Sequence, residues 1–119
     1  MTDQPTIIPF SSSQNNKAFA QNIFFERREF EAILNIYGKM VASGHWKDYA
    51  ISGSKDAAIF AVYQKASERP AFSITKTPAL RLKQGAFAIL GSQGQVLKRG
   101  HELKTVLKYF DKKLIKLVQ

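Results

Sequence analysis

Ala57-Ala58-Ile59-Phe60-Ala61-Val62-Tyr63 is the stretch whose reading decides the fold. Successive strand residues point to opposite faces, so Ile59, Ala61 and Tyr63 share one side and Phe60 and Val62 the other. Both sides are apolar, which places this strand in the interior of a sheet rather than at its rim. Its partners stand on either side of it in the chain. Trp46 to Ile51 reads as the preceding strand, joined through the turn-rich Gly53-Ser54-Lys55-Asp56. Ser67-Glu68-Arg69-Pro70 breaks the chain afterwards. Phe72, Ile74 and Lys76 then alternate with Ala71, Ser73 and Thr75 as a third strand. Thr77-Pro78 opens a basic connection through Arg81 and Lys83 to Gly85. Ala86 to Leu90 and Gln95 to Lys98 form a final hairpin around Gly91-Ser92-Gln93-Gly94.

Helical patterns flank the strands. From Glu29 to Met40 the apolar positions Phe30, Ile33, Leu34, Tyr37, Met40 and Val41 follow the i, i+3, i+4, i+7 spacing of one helix face. Glu26, Glu29 and Glu31 sit near its N-terminus, where the helix dipole favours acids. Ser43-Gly44 supplies the stop. Gly38 costs a helix interior about 1 kcal/mol against alanine, and close approach to the sheet is the expected reason for it. Ile23-Phe24-Phe25 reads as a short strand before this helix. The last helix is expected to begin near Gly100-His101, with Leu103, Val106, Leu107, Phe110, Leu114, Leu117 and Val118 on its core face. The prediction is an α+β fold: a helix, an antiparallel sheet of about five strands, and a C-terminal helix, in one domain over residues 21–119. Residues 1–20 are expected to be a disordered polar tail, Ser11-Ser12-Ser13-Gln14-Asn15-Asn16 being too hydrophilic to bury.

With 119 residues the chain has material for a single core. Its 18 basic residues against 9 acidic ones give a net charge of +9, which favours nucleic acid, an anionic membrane or an acidic protein as partner. The absence of cysteine removes disulfides, thiolate metal sites and cysteine nucleophiles, and suits a reducing, cytoplasmic location. No apolar run is long enough for a signal peptide or a membrane span.

Two stretches carry a family resemblance. The first is Phe24-Phe25-Glu26-Arg27-Arg28-Glu29-Phe30, continuing through Ile33-Leu34-Asn35-Ile36-Tyr37-Gly38-Lys39-Met40-Val41-Ala42-Ser43-Gly44-His45-Trp46-Lys47-Asp48-Tyr49-Ala50-Ile51. The second is Leu97-Lys98-Arg99-Gly100-His101-Glu102-Leu103, with Asp111-Lys112-Lys113-Leu114. Together they resemble the short bacterial proteins of domain of unknown function family 2794, over roughly residues 22–116. The resemblance implies a bacterial, single-domain, cytoplasmic protein. The family has no established activity, so it assigns no functional residue. Glu26 stands where an aspartate would make a better helix cap.

The residues that point to function are basic. Lys104, Lys108, Lys112 and Lys116 recur every fourth position of the last helix, opposite its core face. Residues 98–119 hold seven bases and two acids, a net +5. Like charges at i, i+4 repel by a few tenths of a kcal/mol per pair, whereas an ordinary solvated face mixes its signs. Lys98, Arg99, Lys104, Lys108, Lys112 and Lys116 are therefore the expected phosphate contacts of a nucleic-acid-binding module with little sequence preference. The alternative is a protein-interaction or regulatory module, either a homodimer or the receptor of an acidic partner. Tyr49, Phe60, Tyr63, Phe72 and Phe87 are a weaker candidate as a platform for stacked bases, since such aromatics more often pack a core. No phosphate-binding glycine loop occurs. His45 and His101 lack metal-ligand spacing, and His101 fits a role at the start of the last helix. No catalytic constellation emerges, so neither an enzyme nor a cofactor is expected.

Overall fold

A computed structural model describes residues 22–64 and 69–118, the side chains of 115–118 excepted. The predicted tail over 1–20 lies outside the described residues. Helix α1 spans Arg27–Ala42. Strands β1 (Asp48–Gly53), β2 (Ala58–Tyr63), β3 (Phe72–Lys76), β4 (Phe87–Leu90) and β5 (Val96–Gly100) follow, and helix α2 spans Leu103–Val118. The strands form one antiparallel sheet in the order β1-β2-β3-β4-β5, each hydrogen-bonded to its successor. Short links between sequential strands leave little alternative to this meander. A 3-10 turn at Pro78–Leu80 lies in the β3–β4 connection.

The register sorts the sheet into two faces. Phe60 stands opposite Ile51 and Ile74, Ile74 opposite Ile89, and Val62 opposite Tyr49 and Phe72. Directly opposed residues share a face. Both helices pack on this side. Ile33, Ile36 and Met40 of α1 and Leu103, Val106, Leu107 and Phe110 of α2 join Phe60, Val62, Ile74 and Ile89 in one core. Trp46, 1% exposed, plugs its end, meeting the Phe110 ring edge-on at 4.9 Å. The opposite face carries Ile59, Ala61, Tyr63, Thr75, Ala88 and Leu90, of which Ala61, Thr75 and Ala88 are buried. β2 is an interior strand, as its doubly apolar pattern predicts.

Several local expectations are corrected. Ile23-Phe24-Phe25 is not a strand: Ile23 N–H donates to Ser54 O at 2.7 Å, and this irregular stretch leads straight into α1. On α1, Ile36 is buried and Val41 is 38% exposed. The buried arc is turned toward Ile36 because α1 touches α2 as well as the sheet. Gly38 is exposed, with nothing within 4 Å of where a Cβ would stand, so close approach to the sheet does not explain it. Gly100 ends β5 instead of opening α2. His101 does not cap α2 either; its Nδ1–H donates to Arg81 O at 3.1 Å and ties down the β3–β4 connection. Gly85 completes that anchorage. At φ 110° it lies directly against the Gly100 backbone, where a side chain would collide.

The ends of α1 are closed by specific contacts. Glu29 Oε1 accepts the Glu26 backbone N–H at 2.7 Å, so the turn is capped from inside the helix despite the absence of aspartate at 26. Ser43 and Gly44, the latter at φ 83°, terminate it where the sequence predicts. Tyr37 OH donates to Lys47 O at 2.7 Å and fixes the entry into β1. Burial, with smaller contributions from Asp48 and Tyr49, pushes the Tyr37 phenol pKa above its ordinary value and keeps it a donor.

Candidate nucleic-acid interface

The surface begins with the periodicity of α2. Leu103, Val106, Leu107 and Phe110 turn inward and Leu114 packs at the margin of the core, which obliges residues four apart on the far side to face solvent. Lys104, Lys108 and Lys112 are all exposed. Consecutive members stand about 6 Å apart along the axis and drift by about 40° around it. Lys116 lies in the same helix, but its side chain is outside the described residues. Among the described residues, Lys104, Lys108 and Lys112 make no ion pair. Asp111, exposed three residues beyond Lys108, lies on the margin of this face. Lys113 is not part of the row. Its ammonium sits over the Phe72 and Tyr109 rings, at 5.6 and 5.7 Å from their centroids.

The two bases of β5 separate. Lys98 is exposed, opposite Ile89 next to a bulge. Arg99 stands opposite Ala88, on the sheet face turned away from α2, half-buried with Nη1 donating to Gly85 O at 3.1 Å. It braces the β3–β4 connection and is not continuous with the lysine row. That connection carries two further bases outside the six expected phosphate contacts. Arg81 and Lys83 are exposed on either side of Leu82, which is 87% exposed. The His101–Arg81 hydrogen bond ties the backbone of this connection to the residue two positions before α2. The sequence signal of Arg81 and Lys83, two bases in a Pro-initiated connection, is visible; the anchorage of that connection depends on a contact spanning twenty residues.

A family model described as Protein of unknown function (DUF2794) matches residues 23–107. The chain belongs to this family. The resemblance seen in the sequence thus holds over α1, the whole sheet and the first turn of α2. The match takes in Lys98, Arg99 and Lys104 of this DUF2794 protein, and ends before Lys108, Lys112 and Lys116. No curated protein and no solved structure matches the chain.

The sheet of this DUF2794 chain does not offer the aromatic platform. Tyr49, Phe60, Phe72 and Phe87 lie on the face the helices cover, Tyr49 stacking on Phe60 at 4.7 Å between centroids. Only Tyr63 of the five faces the other way. Among the described residues no three His, Asp or Glu side chains are grouped to hold a metal ion, and no helix is long and apolar enough to cross a membrane. His45 Nε2 and Trp46 Nε1 are buried without hydrogen-bond partners among the described residues.

Proposed function

We propose that this protein binds nucleic acid through the phosphate backbone, with the outward face of α2 as the contact and a bacterial cytoplasm as the setting. The observation that carries the reading is the row Lys104, Lys108, Lys112, exposed on one helix face and without an ion pair among the described residues. Local energetics disfavour such a row. Each i, i+4 pair of like charges costs a few tenths of a kcal/mol. Lys104 also sits in the first turn, where the positive end of the helix dipole opposes a cation by about 0.3–1 kcal/mol. A polyanion laid along the helix turns both penalties into attraction, because each ammonium then faces a phosphate and releases its counterion. Lys98, Arg81 and Lys83 add exposed positive charge outside the row. With four of five strand aromatics on the helix-bearing face of the sheet, the reading requires no base recognition and thus little sequence preference.

The test is fluorescence anisotropy of labelled single- and double-stranded DNA and RNA oligonucleotides of several sequences, titrated with protein over a range of salt. Binding at low salt, with log K falling linearly in log salt and similar across sequences, is the expected result. No binding at low salt, where electrostatic attraction is least screened, overturns the proposal.

A further inference from the structure

At the other side of the sheet β1 is an edge strand among the described residues, and of the features that keep edges single its sequence Asp48-Tyr49-Ala50-Ile51-Ser52-Gly53 carries only the charge of Asp48 at its first position. It has no lysine, no proline and no bulge, and it pairs with β2 in unbroken register over its whole length. Tyr49 and Ile51 are 43% and 47% exposed on the helix-bearing side, and Ala50 and Ser52 are exposed on the other. Ser54 N–H bonds Ala57 O across the β1–β2 turn, so by alternation Ser52, Ala50 and Asp48 direct their backbone groups to β2. Tyr49 and Ile51 therefore direct theirs outward.

We infer that β1 pairs antiparallel with β1 of a second copy of this chain about a two-fold axis at Ala50, joining the two sheets into one. In that register Tyr49 stands opposite Ile51 of the second copy, and Ile51 opposite its Tyr49. Both are hydrogen-bonded pairs, so the outward N–H and C=O groups of all four residues are satisfied together. An aromatic ring meets a β-branched side chain twice on the same face, a favourable cross-strand combination. Ala50 meets Ala50, and Asp48 meets Ser52, so no like charges oppose. The pairing is self-complementary, as a two-fold interface must be, and this selects a second copy over an unrelated strand.

The chain's charge of +9 argues against self-association, but its distribution removes the objection. Around β1 the charges alternate, Lys47 with Asp48 and Lys55 with Asp56. The lysine row rides on α2, which packs over β4 and β5 at the far edge. Strand spacing places those strands about 15–19 Å from β1, beyond the Debye length of about 8 Å at physiological salt. The inference stands apart from nucleic-acid binding and does not depend on it.

Cysteine substitution tests the register directly, because the chain has no cysteine of its own. Residues paired across the axis approach to about 4.5 Å between Cα atoms in a non-hydrogen-bonded pair, within the range a disulfide spans. Ala50→Cys should form a covalent dimer on mild oxidation, and Ser52→Cys, displaced along the strand from its own copy, should not. Sedimentation velocity of the wild type should show a monomer–dimer equilibrium that shifts with concentration. Ile51→Lys and Ile51→Pro should abolish the dimer with the circular dichroism spectrum retained, proline removing only an outward N–H. A wild type monomeric at every concentration overturns the inference. So does a dimer that survives in both folded Ile51 variants, or cross-linking at Ser52→Cys in place of Ala50→Cys.

Discussion

Lys76 Nζ, on β3, lies 2.8 Å from Glu29 Oε1 on α1, and the two side chains are only 14% and 17% exposed. The same ammonium donates to Phe24 O at 3.0 Å, and the same carboxylate oxygen accepts the Glu26 N–H. One ion pair thus joins the middle of the sheet to the capped first turn of α1 and to the chain that enters it. Removing one partner leaves the other charge largely out of water, which costs more than the pair contributes. Lys76→Ala is expected to destabilise the fold by about 1–3 kcal/mol, the range for orphaning a buried polar group. The double variant Lys76→Ala/Glu29→Gln should lose less than the sum of the two single changes. Denaturant unfolding of the four proteins measures this; strict additivity would show that the contact is not coupled.

The two glycines at contrasting positions make a second prediction. Gly38 is an exposed residue of α1 with open space around its missing Cβ. Gly38→Ala should therefore raise stability by about 0.5–1 kcal/mol through helix propensity and a less flexible unfolded chain. Gly85→Ala meets the Gly100 backbone at a positive φ and should lower the melting temperature markedly. Equal effects of the two changes would contradict the environments described for them.

How much was legible in the sequence follows from what each element depends on. Period two and period 3.6 come from local geometry, so β2, β3, the β4–β5 hairpin and both helices were readable from their residues. What was not readable depends on distant partners. Ile36 is buried because α1 also meets α2, and no periodicity announces a second packing surface. By its position in the chain Arg99 groups with the lysines, yet strand alternation and the Gly85 carbonyl take it to the other side of the sheet. The row Lys104, Lys108, Lys112 was legible because exposure opposite a core face is itself a consequence of helical period.

That rotation of α1 is a third prediction. Ile36→Ala empties a core site 5% exposed and should cost about 2–5 kcal/mol, the usual range for a truncated buried isoleucine or leucine. Leu34→Ala, at a half-buried position, should cost less. Thermal unfolding separates them clearly, since 1 kcal/mol moves the midpoint of a domain near this size by about 4–8 °C. A larger loss at Leu34 would return the helix to the orientation its periodicity predicts.

The last prediction isolates the lysine row from the fold. Lys104, Lys108 and Lys112 are exposed and unpaired among the described residues, so replacing all three leaves the core leucines and every described hydrogen bond in place. The triple glutamine variant should melt at or slightly above the wild-type temperature, because like-charge repulsion along α2 is relieved. Its nucleic-acid affinity should fall uniformly across sequences, as loss of phosphate contacts removes no base reading. Each contact contributes about 0.7–0.9 to the slope of log K against log salt, so three lost contacts should flatten it by roughly 2–3 units. The triple glutamate variant should fall further, since it adds repulsion to the lost attraction. Arg99→Gln gives the opposite pattern: its guanidinium is engaged with Gly85, so stability should drop with little change in salt slope. An unchanged slope in the triple glutamine variant would make the row an ordinary solvated face, and would move any binding that remains to the bases of the β3–β4 connection.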